Sequence, residues 1–163
     1  MTTAPPERRA TVSLLADRPQ AVRTLERWFI DEWAPWYGPE GPGDAAADLK
    51  ACLSPGELPI AWVAVSGTGE TLGTVTLKTV SAGSDTGWGP WLTAFLVDKR
   101  HRGTGIGAML VAAAEEGAAD LGYDALYVST DTAGALFERR GWIPAGTTET
   151  LRGEAKIYRK RLR

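Results

Sequence analysis

The stretch KRHRGTGIGAML, Lys99–Leu110, largely decides the fold that this sequence predicts. Three glycines, Gly103, Gly105 and Gly107, stand at alternate positions behind a basic run, and an apolar segment follows at once. A glycine-rich turn that opens a helix presents several unpaired backbone N–H groups at the positive end of the helix dipole. Because no side chains stand in the way, a phosphate can reach these groups. The pattern therefore predicts an anion site, and a diphosphate fits it better than a single carboxylate does.

The segments on either side of this turn support that interpretation. Residues 89–97 are almost continuously apolar, which predicts a strand buried on both faces in the middle of a sheet. A helix is expected over residues 105–121, with small residues that let it lie close to the sheet. Lys99, Arg100 and Arg102 are expected to add mobile positive charge beside the turn.

The amino-terminal third of the chain predicts helices and a hairpin. Phe29, Trp33 and Trp36 recur at helical spacing, which favours a single helix up to the glycines that follow Tyr37. Asp44 is placed to cap a second, shorter helix. Residues 59–66 and 71–80 are predicted as two strands of a hairpin, because both contain β-branched residues and a glycine-rich turn joins them.

The remaining predicted elements complete a mixed, mostly antiparallel α/β sheet with flanking helices. They are a first strand (10–17), a strand (124–130), a short helix (132–140) and two final strands (142–150 and 155–162). We find no internal repeat and no linker long enough to divide the chain. The expected organisation is one domain over residues 1–163, with residues 1–9 as a flexible tail.

Composition limits the classes of function. The chain has 163 residues and a formal net charge of −2, which argues against a general nucleic-acid or membrane-surface binder. Cys52 is the only cysteine and His101 the only histidine, so we expect neither an intrachain disulfide nor a bound metal. The sequence shows no signal peptide and no run of the ~20 apolar residues that a membrane span needs. We expect a cytoplasmic protein.

The glycine-rich turn by itself leaves other interpretations open. Its glycines could serve only a tight turn and close packing of helix on strand. Gly103, Gly105 and Ala108 also satisfy a dinucleotide fingerprint, with Asp131 at a suitable distance, but too little chain follows for the usual βαβ units. A Walker-type phosphate loop does not fit, since no Gly-Lys-Ser/Thr sequence follows.

The motif resembles the acetyl-coenzyme A signature of the GNAT superfamily of N-acetyltransferases, Arg/Gln-x-x-Gly-x-Gly/Ala. Arg102, Gly105 and Gly107 match it inside VDKRHRGTGIGAML, after the apolar strand LTAFLV. The later LYVSTDTAGALFERRGW is similar to the family's next strand and helix, which end in a Gly-aromatic pair, here Gly141 and Trp142. The resemblance is specific from about Trp91 onward to that pair.

The resemblance implies acetyl-coenzyme A as co-substrate, with no metal. The pyrophosphate would lie on the turn, and the pantetheine arm would pair with the preceding strand, where that strand splays from the next one, usually at a bulge. A backbone N–H near Phe95 could then stabilise the oxyanion. The cofactor-binding residues implied are Phe95, Leu96, Val97, Arg102, Gly103, Thr104, Gly105, Ile106, Gly107, Ala108 and Phe137.

One position departs from the family pattern. Phe137 stands where the family commonly has the tyrosine that protonates the departing thiolate, and phenylalanine cannot donate a proton. Phe137 could simply pack against the pantetheine, while water, Ser129 or Tyr127 supplies the proton. The alternative is a non-catalytic acyl-coenzyme A sensor or partner module.

The resemblance also implies residues that bind and deprotonate the acceptor, the amine that receives the acetyl group. Glu32, in the aromatic helix, is the candidate general base, although it could equally be a solvated carboxylate whose work is done by a water chain. Trp33, Trp36 and Trp91 are candidates for binding the acceptor through stacking and cation–π contact. The expected acceptor is a primary amine: a small amine, an aminoglycoside- or polyamine-like molecule, or a peptide amino terminus. A homodimer through the terminal strands is a further possibility.

Overall fold

A computed structural model describes residues 9–162, so that, of the predicted flexible tail, all but Arg9 lies outside the described residues. The helices are Val22–Glu32 (α1), Ala34–Tyr37 (α2), Ala45–Ala51 (α3), Ile106–Asp120 (α4) and Gly134–Arg139 (α5). The strands are Thr11–Leu14 (β1), Ile60–Val65 (β2), Thr71–Lys78 (β3), Trp91–Val97 (β4), Ala125–Thr130 (β5), Ile143–Thr150 (β6) and Gly153–Arg161 (β7). Among the described residues, no helix is long and apolar enough to cross a membrane.

All seven strands form one sheet in the order β1-β2-β3-β4-β5-β7-β6. Every neighbouring pair is antiparallel except β4 and β5, which are parallel and joined by the crossover helix α4. The central strand is β4, as its apolar sequence predicts. The arrangement confirms the predicted mixed, mostly antiparallel α/β sheet.

The carboxyl-terminal strand β7 lies inside the sheet, between β5 and β6. Both of its edges are therefore used in pairing, from Ala125–Thr130 on one side and Ile143–Thr150 on the other. The segment over residues 155–162 offers no open edge for a second copy of the chain. The open edge at this end of the sheet belongs to β6.

The first helix is interrupted, contrary to the single helix that the aromatic spacing predicts. At Trp33 the backbone has φ −119° and ψ 49°, and the short helix α2 begins at the next residue. Pro35 explains the break, because proline has no N–H to bond four residues back and its ring would crowd the carbonyl of Asp31. Asp44 caps α3 as predicted, and its carboxylate accepts a hydrogen bond of 3.0 Å from the Ala47 amide.

Helices cover the two faces of the sheet. The α4 face carries Trp62, Leu92 and Phe137 in one buried cluster, and the α1 face carries Phe29 and Val63 in another. The approach of α4 to the sheet depends on its small residues. A Cβ added at Gly117 would lie 2.3 Å from the Trp62 ring, so only glycine fits there.

A buried carboxylate fastens α4 to the far end of the sheet. The Glu115 side chain accepts hydrogen bonds from Arg140 (2.8 and 3.2 Å), from the Trp142 indole (2.9 Å) and from the Lys160 ammonium (2.9 Å). Lys160 also donates to the Arg140 carbonyl at 2.7 Å. These contacts join α4, the end of α5 and β7, and they fix the elements that lie behind the splayed strands. We call these four residues the Glu115 network.

Candidate functional site

The glycine-rich turn leads into α4 as the sequence predicts. Gly103 (φ +78°) and Gly105 (φ +89°) have left-handed backbones, which L side chains rarely adopt. A Cβ at either would meet nothing within 4 Å, so the turn faces open space. The first bond of α4 runs from the Met109 amide to the Gly105 carbonyl, which leaves the amides before it without intrahelical acceptors. The turn therefore has the geometry of an anion site.

Gly107 has a different role from the two glycines before it. Its Cβ would stand 3.2 Å from the Phe95 ring and 3.4 Å from Leu136 Cδ2, which is tighter than ordinary contact. Close packing of α4 against β4 and α5 therefore needs a small residue here. The structural interpretation of the glycines holds at this position, while Gly103 and Gly105 shape an exposed surface.

Much of the positive charge expected to be mobile is already paired. Arg100 donates to Asp98 at 3.0 Å and to Glu70 at 2.9 Å, and hydrogen bonds from Arg100 hold the pKa of Asp98 below its usual value although partial burial opposes this. The His101 ring lies 3.8 Å from Glu70. Arg102 is exposed, and its Nε donates to the Val97 carbonyl at 3.2 Å, over the end of β4.

Among the described residues, one group of three side chains could hold a metal ion: Glu70, Asp98 and His101. Its two carboxylates are the ones that Arg100 contacts, so the guanidinium already supplies their positive partner. These three side chains therefore give no reason of their own to expect a bound metal.

The central strands separate as predicted. The parallel pairing joins Trp91 to Tyr127 and Leu92 to Val128. Within the described chain, no residue of β4 after Leu92 pairs with β5. A wedge-shaped gap therefore opens between the carboxyl-terminal halves of β4 and β5, and the glycine-rich turn stands at the end of one of its sides.

A bulge in β4 accompanies this gap. The register with β3 places Thr76 opposite Thr93 and Thr74 opposite Leu96, so β4 has one more residue than β3 over this interval. Ala94, within the interval, has φ +50°, the only positive value of a non-glycine residue in the described part of the chain. The predicted bulge next to Phe95 is thus present.

Phe137 lies in the core on the α4 side of the gap. Its side chain is completely buried, and its ring contacts those of Trp142 (centroids 5.0 Å apart), Phe95 (6.0 Å) and Tyr158 (6.5 Å). Through Phe95 this cluster reaches β4 beside the bulge. Of the other residues predicted at this strand end, Val97 is half-buried and Leu96 is buried against the α1 side.

The turn residues with side chains point in different directions. Ile106, the first residue of α4, is buried, and Ala108 is half-buried. Thr104 is exposed, and its hydroxyl donates a short hydrogen bond to the His101 carbonyl. Their backbone amides, rather than their side chains, are the groups presented at the start of the helix.

The predicted acceptor-side tryptophans are dispersed. Trp33 packs on Phe29 with ring centroids 5.0 Å apart, and Trp36 is 44% exposed. Trp91 is fully buried under the β3–β4 loop and donates its indole N–H to the Trp88 carbonyl, so it offers no surface to an acceptor. Trp88 is exposed and stacks on Tyr127 with ring centroids 5.3 Å apart.

The carboxylate of Glu32 lies near a cation that the sequence did not indicate. Arg152, in the turn between β6 and β7, has its Nη1 3.9 Å from Glu32 Oε1 and its Nε 3.6 Å from Asp131 Oδ2. Asp131 directly follows β5, so these contacts lie beside the gap between β4 and β5. We call Glu32, Asp131 and Arg152 the Arg152 bridge. A single arginine in a polar turn carries no pattern that could have revealed it.

Comparison with known proteins agrees with this geometry. A family model described as "Acetyltransferase (GNAT) family" matches residues 23–142, most of the chain. The chain therefore belongs to the GNAT family of acetyltransferases, which confirms both the resemblance and the enzyme class that it implies. None of the curated proteins is similar enough in sequence to match.

Solved structures share the fold at low sequence identity. An aminoglycoside 6'-N-acetyltransferase complexed with coenzyme A has a TM-score of 0.74 at 17% identity, over 94% of this chain and 97% of that one. The aminoglycoside 6'-N-acetyltransferase from Enterococcus faecium has a TM-score of 0.71 at 17% identity, over 94% and 97%. A GNAT acetyltransferase from Staphylococcus aureus Mu50 has 0.70 at 15%, over 95% and 100%.

Proposed function

We propose that this chain transfers an acetyl group from acetyl-coenzyme A to a primary amine by direct attack in a ternary complex. The acceptor would be a small amine, an aminoglycoside- or polyamine-like molecule, or a peptide amino terminus. One observation carries the proposal: the glycine-rich turn and the gap between β4 and β5 meet at the carboxyl end of β4. An extended ligand with a diphosphate at one end fits that combination.

The residues present suit coenzyme A. At the turn, Gly103 and Gly105 leave room for phosphate oxygens beside the first amides of α4, and Arg102 is exposed next to them. Along the gap, the β4 backbone from Phe95 to Val97 would pair with the pantetheine arm. Bound there, the co-substrate supplies an activated acyl group, and the chain supplies binding and orientation.

The bulge offers a backbone hydrogen-bond donor for the acyl carbonyl. An N–H group that has left the strand ladder at Ala94–Phe95 can point into the gap and donate to a carbonyl oxygen. Such a donor is most effective where water is excluded, and the buried ring of Phe137 lies on this side of the gap.

For proton transfer, the structure offers fewer candidate side chains than it does for binding coenzyme A. Glu32 is the candidate base, and a chain of water molecules from the open face of the gap could do the same work. A thiol with a pKa of about 8.5 leaves as thiolate at a cost of about 2 kcal/mol at pH 7, so a dedicated acid is not essential. Ser129 and Tyr127, half-buried on β5, are the candidate donors.

A thermal-shift assay with acetyl-coenzyme A, coenzyme A and NAD tests the binding step. A ligand at about a hundred times its dissociation constant adds about 2.7 kcal/mol of stability. We expect a shift with both coenzyme A forms and none with NAD. Loss of the shift in Gly105→Val, with the circular dichroism spectrum retained, would assign the binding to the turn. An equal shift with NAD would refute the proposal.

The burial of Phe137 at the usual tyrosine position favours a second candidate, a module that binds acyl-coenzyme A without transferring the acyl group. Thiol release measured over a panel of amines and peptides separates the two functions. Release with any acceptor supports the enzyme, and silence across the panel despite a coenzyme A shift supports the binding module. Phe137→Tyr should raise turnover if thiolate departure limits the rate.

A cytoplasmic location and a homodimer stay predictions.

A further inference from the structure

The Arg152 bridge brings two carboxylates to one cation. Arg152 contacts Glu32 through Nη1 at 3.9 Å and Asp131 through Nε at 3.6 Å. Since a single guanidinium reaches both, the two carboxylates flank a space of about the size of one organic cation. The chain itself shows that positive charge is accommodated there.

The bridge lies at the end of β5, beside the gap between β4 and β5. Glu32 is the last residue of α1, which covers one face of the sheet, and Asp131 follows the end of β5. Arg152 comes from the β6–β7 hairpin, whose strands lie beyond β5 in the sheet. To reach α1, the tip of this hairpin must extend past the end of β5 toward Glu32, the candidate base of the proposed function.

These contacts are weak and can be exchanged. Both distances exceed the 2.7–2.9 Å of a direct charge-assisted hydrogen bond. The side chains of Arg152, Glu32 and Asp131 are 43%, 27% and 35% exposed. Exposed ion pairs of this kind contribute little to stability, so a ligand ammonium can replace the guanidinium at low cost.

Asp131 also lines a cavity between α5 and β7, on the side of the sheet away from α1. Asp131 forms part of its wall, together with Glu138, Glu154 and Lys156, and its volume is about 390 Å³. With three carboxylates and one lysine, the lining of the cavity carries a net negative formal charge. Tyr158 also lines this cavity, and its hydroxyl donates to Glu138 at 3.1 Å.

We propose that Arg152 determines acceptor specificity: its guanidinium occupies the place of a substrate ammonium between Glu32 and Asp131, and acceptors with a second positive charge bind by displacing it. This inference rests on the proposed function. The acceptor class is thereby narrowed from primary amines to diamines and polyamines. The amine that is not acetylated lies between the two carboxylates, where its ammonium replaces the guanidinium beside Glu32 and Asp131.

The test compares two acceptors that differ only in one charge, putrescine and butylamine. In Arg152→Gln the competing cation is gone, so the ratio of kcat/KM for putrescine over butylamine should rise about fivefold, mainly through KM. Arg27→Gln removes the same charge from an exposed position on α1 and should leave this ratio unchanged. An unchanged or lower ratio in Arg152→Gln would overturn the proposal.

A second variant keeps the result specific. Adding Asp131→Asn to Arg152→Gln should reverse the gain for putrescine, because one of the two carboxylates is lost. If Arg152 instead recognises an anion on the acceptor, Arg152→Gln should raise KM for γ-aminobutyrate and leave putrescine unaffected, which would contradict the displacement.

A binding measurement separates this inference from the proposed function. Hydrogen exchange of the hairpin amides at residues 150–154 is followed with coenzyme A present, with and without putrescine. Displacement of Arg152 predicts faster exchange on adding putrescine and no response to butylamine. This readout stands even if no acceptor is acetylated, in which case only the transferase proposal fails. Equal exchange with both amines would refute the displacement.

Discussion

Two groups of charges in this molecule differ in what surrounds them. In the Glu115 network, one carboxylate accepts hydrogen bonds of 2.8–3.2 Å from three side chains, and its side chain is 10% exposed. In the Arg152 bridge, a guanidinium lies 3.6–3.9 Å from two carboxylates in a partly exposed setting. The first group fixes elements to one another, whereas the second leaves its charges accessible to a ligand.

The difference follows from desolvation. A buried carboxylate has lost its water and depends on every donor around it, so losing one partner leaves an unsatisfied charge. In the partly exposed Arg152 bridge, water replaces any contact that breaks, and an ion pair can open without a large penalty. The Glu115 network is therefore rigid, while the Arg152 bridge can rearrange.

The largest effect is expected for Glu115→Ala. Removing this carboxylate leaves Arg140, Lys160 and the Trp142 indole without their shared acceptor, and breaking a buried ion pair costs about 3–5 kcal/mol. The free energy of unfolding from urea titration measures the loss. Glu116→Ala, at the adjacent exposed position, is the matched control and should change stability by less than about 0.5 kcal/mol. Similar losses in the two variants would show that the network is not what holds α4.

A smaller effect is expected from pH. Burial acts to raise the pKa of Glu115, but hydrogen bonds from Arg140, Trp142 and Lys160 outweigh it, and the pKa lies below its ordinary value of 4.5. Because the unfolded chain then binds the proton more readily, the stabilisation is complete above about pH 4.5 and is lost as the pH falls through the folded pKa.

Urea titrations from about pH 3 to about pH 7 check this dependence. The stability difference between the wild-type protein and Glu115→Gln should shrink toward acid pH, because the glutamine cannot titrate. A difference that stays constant across this range would mean that the folded and unfolded proteins bind the Glu115 proton equally, so that folding does not lower this pKa.

The sequence predicts most of the fold because its signals are local. Glycines, an apolar strand and a following helix are all contained within residues 89–121, and the order of strands and helices is confirmed. The error at Trp33 has a local cause as well, since Pro35 outweighed the aromatic periodicity. Close packing of Gly117 on Trp62 joins distant segments, and no local pattern reveals such a contact.

The candidate site is predicted unevenly for the same reason. Its turn and bulge belong to one continuous segment, whereas the acceptor site that we propose takes its side chains from α1, the end of β5 and the β6–β7 hairpin. Trp91 illustrates what the sequence does not reveal. Its aromatic side chain and its place in the sequence predict a contact with the acceptor, but the β3–β4 loop folds over it. Which side chain stays exposed depends on how loops cover the sheet.

The smallest effect should separate the two groups of charges most sharply. A double-mutant cycle on Arg152 and Asp131 should give a coupling energy below about 1 kcal/mol, while the cycle on Arg140 and Glu115 should give more. At about 1 M salt, where the Debye length is about 3 Å, the first coupling should vanish and the second should persist. A coupling across the Arg152 bridge that resists salt would mean that the guanidinium is held firmly, and an acceptor ammonium could not displace it at low cost. Salt dependence of this one pair therefore decides whether the hairpin is part of the scaffold or part of the acceptor face.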